Sequence, residues 1–153
     1  MVKISLEYEG QLHCKTVHEP SGTVLFTDAP KDNQGLGESF SPTDLVATGL
    51  ASCILTTMAI QARTLGIDID GATASVTKEM TAAPPRKIAR LAVTVNITKP
   101  VDEQNRIKLE RAAHTCPVHR SLSPEVDAPI EITWHSASLL RTKISCKDRR
   151  GVA

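Results

Sequence analysis

Hydrophobic and polar residues alternate over short segments at the beginning of the chain. Residues 2–8 alternate with a period of two, which predicts a half-buried strand, and Gly10 allows a turn into a second strand over residues 11–17. A third strand is predicted over residues 23–27. The segment 28–40 is rich in Gly, Pro, Asn and Asp, so we expect a surface loop that covers or spaces a site.

The longest apolar run predicts a long helix over residues 42–65. Ser41 suits the N-cap, Pro42 suits the first helical position, and Asp44 completes a motif close to a capping box. Small and apolar side chains surround most of the helix, so we expect it to be buried on most sides, with Gly49 marking the close approach of a backbone or ligand. Polar residues interrupt the run before it reaches about 18 apolar residues, which favours a soluble protein over a membrane span.

The second half of the chain has the pattern of a sheet and two further helices. Strands are predicted over residues 72–80, 87–98 and 130–134. Asp102 is placed to cap a helix, and Pro117 suits the first position of a short one. The helix after Asp102 has an apolar stripe formed by Ile107, Leu109, Ala112 and Ala113. The order of elements predicts an α+β fold and not a regular β/α alternation.

Length and charge indicate one domain and a distinct C-terminal segment. The 153 residues have a formal net charge of +1, so nothing in the overall balance points to a nucleic-acid partner. We expect a single domain over residues 1–135, and a basic, solvated and flexible tail over residues 136–153. Four cysteines without a charged and apolar leader indicate a reducing, cytoplasmic location with no membrane partner.

Two cysteines are the candidates for chemistry. Cys116 precedes Pro117 at a predicted helix start, where free N–H groups with His119 and Arg120 in the first turn favour a thiolate. Cys53 lies in the middle of the long helix with no charge near it in the sequence, a position more typical of a core residue. Local sequence therefore makes Cys116 the more polarised thiol of a pair that could reduce peroxides.

Other uses of these residues are less well supported. A zinc site formed by His13-Cys14 and Cys116 with His119 is disfavoured, because neighbours on a strand point to opposite faces. We expect no metal and no cofactor. Cys14 then belongs to a strand core, and Cys146 is a bystander in the tail. A Cys-His hydrolase lacks a visible oxyanion loop, and the glycine-rich segment 33–38 lacks the features of a phosphate loop.

Three motifs in this order resemble the OsmC/Ohr family over residues 2–135. Ser41-Pro42-Thr43-Asp44-Leu45 with Ala51-Ser52-Cys53 is similar to the family's helix motif. Met80 with Pro85-Arg86-Lys87-Ile88 is similar to its long strand hairpin, and Cys116-Pro117-Val118 with Ser121-Leu122 to its second cysteine motif. The resemblance implies curved antiparallel sheets around a long buried central helix that carries Cys53, in an intertwined homodimer with sites at the subunit interface.

The resemblance also implies an activity, but this chain lacks two residues that the family uses for it. Family members reduce organic hydroperoxides, so Cys53 would attack, become a sulfenic acid and condense with Cys116, and a lipoyl-type dithiol would restore both. The family's usual arginine and glutamate are missing, since His13 and Thr43 stand at about their places. Auxiliary roles therefore fall to His13, Thr43, Asp44, His119 and Arg86, with Lys31 as another substitute cation. A stress protein of the same fold that binds a small apolar or electrophilic ligand at the dimer interface, without catalysis, is the alternative.

Overall fold

The computed structural model describes residues 1–135, and it confirms the predicted α+β class and order of elements. The predicted tail over residues 136–153, with Cys146, lies outside the described residues. The loop before the long helix contains a short 3-10 turn, Lys31–Asn33. The strands and helices are β1 (Ile4–Gly10), β2 (His13–His18), β3 (Thr23–Asp28), α1 (Pro42–Leu65), β4 (Thr73–Met80), β5 (Ile88–Ile97), α2 (Glu103–His114), α3 (Pro117–Ser121) and β6 (Ile130–Trp134).

The first sheet is an antiparallel meander of β1, β2 and β3. Its alternation places Ile4, Leu6 and Tyr8 on one face, and these side chains are 54%, 68% and 64% exposed. Within residues 1–135, the hydrophobic core draws on no residue of these three strands. The sheet therefore leaves an apolar face without cover in the single chain.

The second sheet has the order β4-β5-β6 and carries the core. Its β4 and β5 strands are antiparallel, but β6 runs parallel to β5, so the expectation of purely antiparallel sheets is corrected. The parallel pairing follows from the connection, because α2 and α3 carry the chain back before β6 begins. Alternate residues of β5 are buried against the helices, namely Leu91, Val93, Val95 and Ile97.

Helix α1 begins and ends where its caps predict. Ser41 and Asp44 form a reciprocal capping box, and Gly66 ends the helix in the left-handed conformation with φ 68°. One face is buried in the core, through Ala47, Leu50, Ala51, Ile54, Met58 and Ala62. Over 18 residues its mean hydropathy of 1.6 would suit a membrane span, but here one face of the helix packs into the core of the α+β fold.

The opposite face of α1 is open in the single chain. Val46 is 39% exposed and Ile60 is 62% exposed, so burial on most sides is not observed within residues 1–135. A Cβ atom added to Gly49 would meet nothing within 4 Å, and the expected close approach is absent from this part of the chain. The reason is that the core covers one side of the helix and no other described element covers the opposite side.

Helix α2 is capped by Asp102, whose side chain accepts a hydrogen bond from the Asn105 N–H at 3.0 Å. Leu109, Ala112 and Ala113 are buried, as the apolar stripe predicts. Ile107 is 44% exposed, so its place in the stripe is wrong. Two residues along a helix correspond to about 200° of rotation, which turns Ile107 away from the face of Leu109.

Candidate functional site

The thiols of Cys53 and Cys116 meet where α1 packs against the start of α3. Cys53 lies in the middle of α1 and is half-buried, whereas Cys116 is the N-cap residue of α3 and is fully buried. The side chain of each cysteine acts on the pKa of the other, so the two thiols are neighbours. The fold therefore brings together two cysteines that are 63 positions apart in the chain.

The surroundings of Cys53 favour its thiolate. Burial of the sulfur acts to raise the pKa, but hydrogen bonds from the Cys116 thiol, the Val118 N–H and the Thr57 hydroxyl outweigh it. The pKa of Cys53 is therefore lowered from its ordinary value. All three groups that lower it are uncharged, so among the described residues no cation acts on this sulfur.

The surroundings of Cys116 favour its neutral thiol. Burial raises the pKa of Cys116, and the neighbouring Cys53 raises it further, although the N–H groups of His119 and Val118 act to lower it. This reverses the expectation from local sequence, in which Cys116 was the polarised thiol. At the start of α3, the Val118 N–H acts to lower the pKa of Cys53 in α1. Only the tertiary fold creates this contact.

Thr57 connects the thiol to the helix backbone. Its hydroxyl donates to the Cys53 carbonyl oxygen at 2.8 Å, one turn back along α1. A hydroxyl carries a single proton, so it cannot donate to this carbonyl and to the Cys53 sulfur at once. Rotation of the hydroxyl would transfer the hydrogen bond to the sulfur when the thiolate forms. Sequence reasoning missed Thr57, although its spacing of four residues from Cys53 places both on one helix face.

A second polar cluster lies at the start of α1. Lys78 forms a salt bridge to Asp44 with an N–O distance of 2.6 Å and donates to the Thr43 hydroxyl at 2.8 Å. Its side chain is 17% exposed. Burial acts to raise the pKa of Asp44, but hydrogen bonds from Lys78 and Ser41 hold it below the ordinary value of 3.8. The Asp44 carboxylate thus stabilises the charge of Lys78, whose ammonium group has little access to solvent.

Sequence reasoning also missed Lys78, although a signal for it was present. The alternation of β4 places Ala74, Val76, Lys78 and Met80 on the partly buried side of the strand. A lysine in phase with apolar residues indicates that its charge has a partner in the fold.

The cluster at the start of α1 is too far from Cys53 of the same chain for direct contact. Thr43 precedes Cys53 by ten residues, which corresponds to about 15 Å along a helix axis. Thr43 and Asp44 are therefore brought to Lys78 and not to the thiol of their own chain.

The remaining predicted auxiliary residues have partners of their own. The ring of His13 stacks on Phe26 with centroids 5.8 Å apart, and Arg86 forms a salt bridge to Asp32 at 2.9 Å. Neither Arg86 nor Lys31 is among the groups that act on the Cys53 sulfur. His119 contributes its backbone N–H near Cys116, while its Nε2 atom lies 3.2 Å from the Ala128 carbonyl oxygen.

Two clefts flank the start of α1. One of about 350 Å³ is mainly apolar and brings Thr43 and Arg86 together; its other lining residues are Tyr8, Leu12, Cys14, Thr27, Ala29, Pro30, Asn33, Ser41, Pro42 and Met80. The other, of about 710 Å³, contains Lys78 and Asp44 and is bordered by the loop segment 37–40. Both volumes fall in the range of small-molecule sites.

Comparison with protein families gives one clear assignment for this geometry. A family model described as OsmC-like protein matches residues 35–131, a range that includes both thiols and the cluster at the start of α1. A search of curated proteins gave no significant match.

Solved structures of similar proteins share the fold. A Psychrobacter arcticus protein, provisionally named as osmotic stress induced and as a detoxification response protein, is 42% identical, with a TM-score of 0.81 over 86% of this chain and 96% of that one. An organic hydroperoxide resistance protein, OsmC, from Legionella pneumophila is 20% identical, with a TM-score of 0.69 over 87% and 96%. One from Elizabethkingia anophelis is 13% identical, with a TM-score of 0.72 over 88% and 96%.

Proposed function

Because this chain belongs to the OsmC-like protein family, we propose that it reduces organic hydroperoxides with Cys53 and Cys116 as part of a stress response. The observation that carries the proposal is that the packing of α1 against α3 makes neighbours of two thiols, and their surroundings polarise them in opposite directions: the pKa of Cys53 is lowered and that of Cys116 is raised. One sulfur is thus prepared to attack as a thiolate, and the other retains a proton to give.

The first step is attack of the Cys53 thiolate on the outer oxygen of the hydroperoxide. A sulfur–oxygen bond forms as the oxygen–oxygen bond breaks, and the organic fragment leaves as an alkoxide that takes up a proton to become the alcohol. The neutral Cys116 thiol lies beside the reacting sulfur and is our candidate for the group that donates this proton to the alkoxide. Cys53 is oxidised to a sulfenic acid, and the peroxide is reduced by the same two electrons.

The second step is condensation of the two cysteines. The Cys116 sulfur, left as a thiolate once its proton has gone to the alkoxide, attacks the sulfenic sulfur of Cys53, and a disulfide joins α1 to the start of α3. The sulfur–oxygen bond of the sulfenic acid breaks, and hydroxide leaves and takes a proton from solvent to become water. A dithiol reductant, for which lipoyl-type dithiols are the candidates, then reduces the disulfide by thiol exchange and is itself oxidised. The position of the two thiols supports this pairing, because they are neighbours before oxidation.

Uncharged donors replace a cation in this proposed mechanism. Hydrogen bonds from Cys116, Val118 and Thr57 lower the pKa of Cys53. A neighbouring arginine would stabilise a thiolate more strongly, since hydrogen bonds to charged donors are roughly twice as strong as neutral ones. We therefore expect slower peroxide reduction than in a site that has a guanidinium on the sulfur.

A second copy of the chain would complete the site in a homodimer. The cluster of Thr43, Asp44 and Lys78 lies about 15 Å along α1 from the thiol of its own chain. The open apolar faces of the first sheet and of α1 are the surfaces that a partner would cover. In such a dimer the cluster of one chain can approach Cys53 of the other.

Ligand binding without catalysis is the second candidate function. The mainly apolar cleft of about 350 Å³, with Arg86 at its border, favours it, because such a cleft suits a small apolar molecule. It uses neither thiol of the pair, so the binding of an apolar probe would survive Cys53→Ser. The two functions therefore respond differently to the same substitution.

The decisive experiment measures consumption of cumene hydroperoxide by the full chain with dihydrolipoamide as reductant. We expect Cys53→Ser to abolish turnover, and Cys116→Ser to allow at most one slow turnover per chain, because no disulfide can form. Cys14→Ser is the matched control and should retain the wild-type rate. Mild oxidation should also remove two hydrogen atoms from the mass of the chain, in a peptide pair that contains Cys53 and Cys116.

The contrary results are equally clear. If wild type and Cys53→Ser consume the peroxide at the same rate, the peroxidase proposal is wrong. Saturable binding of an apolar probe, equal in wild type and Cys53→Ser, together with that result would favour the ligand-binding function.

A further inference from the structure

A buried carboxylate oxygen in the first sheet has no hydrogen-bond partner. Asp28 ends β3 and is only 2% exposed. Its Oδ2 atom accepts a hydrogen bond from the Glu38 N–H at 2.9 Å, whereas Oδ1 is the one buried side-chain polar atom without a partner in the described part of the chain. An unpaired buried carboxylate oxygen is costly, which indicates that a donor belongs at this position.

The side chain that carries the unpartnered oxygen lines an acidic cleft. Asp28 lines a cleft of about 370 Å³ together with Glu9, His13 and Glu38, and no lysine or arginine is among its described lining residues. His13 and Asp28 are directly paired across β2 and β3, so their side chains share one face of the sheet. His13 is held by its stack on Phe26 of the same face. The cleft thus combines three carboxyl groups with one imidazole.

The spacing of these groups selects the kind of ligand. In residues 1–135, no three His, Cys, Asp or Glu side chains lie close enough to hold one metal ion, whose ligands must approach to about 2.0–2.6 Å. A guanidinium or a primary ammonium has several N–H donors on a larger cation and can reach carboxylates that are further apart. Such a group would give Asp28 Oδ1 its missing donor and neutralise part of the acidic cleft.

We propose that the Asp28 cleft binds an organic cation of the guanidinium or primary-ammonium class. Asp28 is the central acceptor, Glu9 and Glu38 provide further carboxylates, and the His13 ring forms one wall. The cation is carried by a free small molecule or by a basic side chain of a second copy of this chain. Within one chain none of these residues is among the groups that act on the Cys53 sulfur, and the proposal does not depend on the proposed peroxidase function.

The test titrates the full chain with methylguanidinium and n-butylammonium, followed by calorimetry and by the amide resonances of residues 28 and 38. Tetramethylammonium, which has the charge without N–H donors, and Mg²⁺ and Zn²⁺ are the comparison ligands. Asp28→Asn keeps an acceptor for the Glu38 N–H but removes the charge, and we expect it to weaken binding about tenfold or more. Asp70→Asn, at an exposed acidic position, should leave the affinity within about twofold.

A second variant keeps the test valid if Asp28→Asn folds poorly, and sedimentation identifies the source of the cation. Glu38→Gln changes only an exposed side chain of the cleft and should weaken binding several-fold even if Asp28→Asn folds poorly. Sedimentation of wild type and Asp28→Asn distinguishes the sources: a basic side chain of a second copy predicts weaker self-association of the variant and competition by methylguanidinium. Saturable binding with unchanged self-association indicates a free ligand.

The proposal is overturned if wild type and both variants behave alike in titration and sedimentation, which would leave Asp28 Oδ1 hydrated by water only. It is also overturned if tetramethylammonium binds as tightly as methylguanidinium, or if only the metal ions bind.

Discussion

At the scale of single residues, the two thiols differ through their neighbours and not through their own chemistry. The Cys116 thiol, the Val118 N–H and the Thr57 hydroxyl act to stabilise the Cys53 thiolate, and the pKa of Cys53 falls in spite of burial. Cys116 is more deeply buried and lies beside the sulfur that ionises first, so its pKa rises. The negative charge therefore belongs to one sulfur of the pair, and the proton to the other.

Replacement of Cys116 tests this division of charge. Cys116→Ala removes the side-chain donor to Cys53, so the pKa of Cys53 should rise and its alkylation by iodoacetamide should require a higher pH. Cys116→Ser keeps a hydroxyl donor at the same position and should give a smaller upward shift. The measurement is the alkylation rate of Cys53 as a function of pH, followed by mass spectrometry of the Cys53 peptide. An identical pH midpoint in wild type and Cys116→Ala would contradict the assigned hydrogen bond.

Sequence identifies the two candidate thiols more readily than the polarisation of each. Cys53 and Cys116 can be recognised because their motifs are local, and resemblance to the family joins them. The lowered pKa of Cys53 could not be predicted from its local motif, because the Val118 N–H that acts on the Cys53 sulfur belongs to another helix. Lys78 was missed for a related reason, since its partners Thr43 and Asp44 are 35 and 34 positions away in the chain.

At the scale of elements, caps and periodicity are local and were predicted well. The limits of α1 agree with the prediction because Ser41, Asp44 and Gly66 act on neighbouring backbone groups. The direction of β6 and the exposure of one face of α1 were not predicted. Both depend on which elements meet in space, and the alternation of side chains alone does not specify the neighbour.

The start of α1 is where we expect a single polar substitution to cost stability. Asp44→Asn weakens the capping box and leaves Lys78 without its carboxylate, so we expect a loss of about 1–2 kcal/mol in the free energy of unfolding at neutral pH. Lys78→Met is the matched variant, because it removes the cation but keeps an apolar stem and the cap. Chemical denaturation of both single variants and of the double variant measures the coupling between the two residues.

The effect of Asp44 should also depend on pH. Its pKa is lower in the folded chain than the ordinary value of 3.8, so its carboxylate stabilises the fold above that value. This contribution disappears as the pH falls through the folded pKa, and wild type and Asp44→Asn should then converge. A difference between them that stays constant from neutral pH into that acidic range would contradict a role for the ionised carboxyl group.

At the scale of the whole molecule, the single chain has a well-packed half and an open half. The core joins β4, β5 and β6 to the helices, whereas β1, β2 and β3 contribute no residue to it among the described positions. Apolar side chains are exposed on the first sheet and on α1. A domain with so much apolar surface outside its core is expected to cover it with a second copy.

Self-association is therefore the prediction that concerns the molecule as a whole. Two chains of 16.5 kDa should sediment as a dimer at micromolar concentration. Leu6→Glu places a charge on the open face of the first sheet, where Leu6 is 68% exposed, and should weaken the dimer at least about tenfold, because a charge is costly to bury in an apolar interface. Ile107→Glu is the control, since Ile107 is 44% exposed on α2 and lies outside both open faces.

The same variants connect assembly to chemistry. If the cluster of Lys78, Asp44 and Thr43 approaches Cys53 across the dimer, Leu6→Glu should reduce peroxide turnover at concentrations where it is a monomer, and turnover should recover as the concentration rises. Ile107→Glu should show no such concentration dependence. Wild-type protein that remains a monomer at all concentrations, or Leu6→Glu monomers with the full wild-type rate, would show that one chain holds everything its site requires.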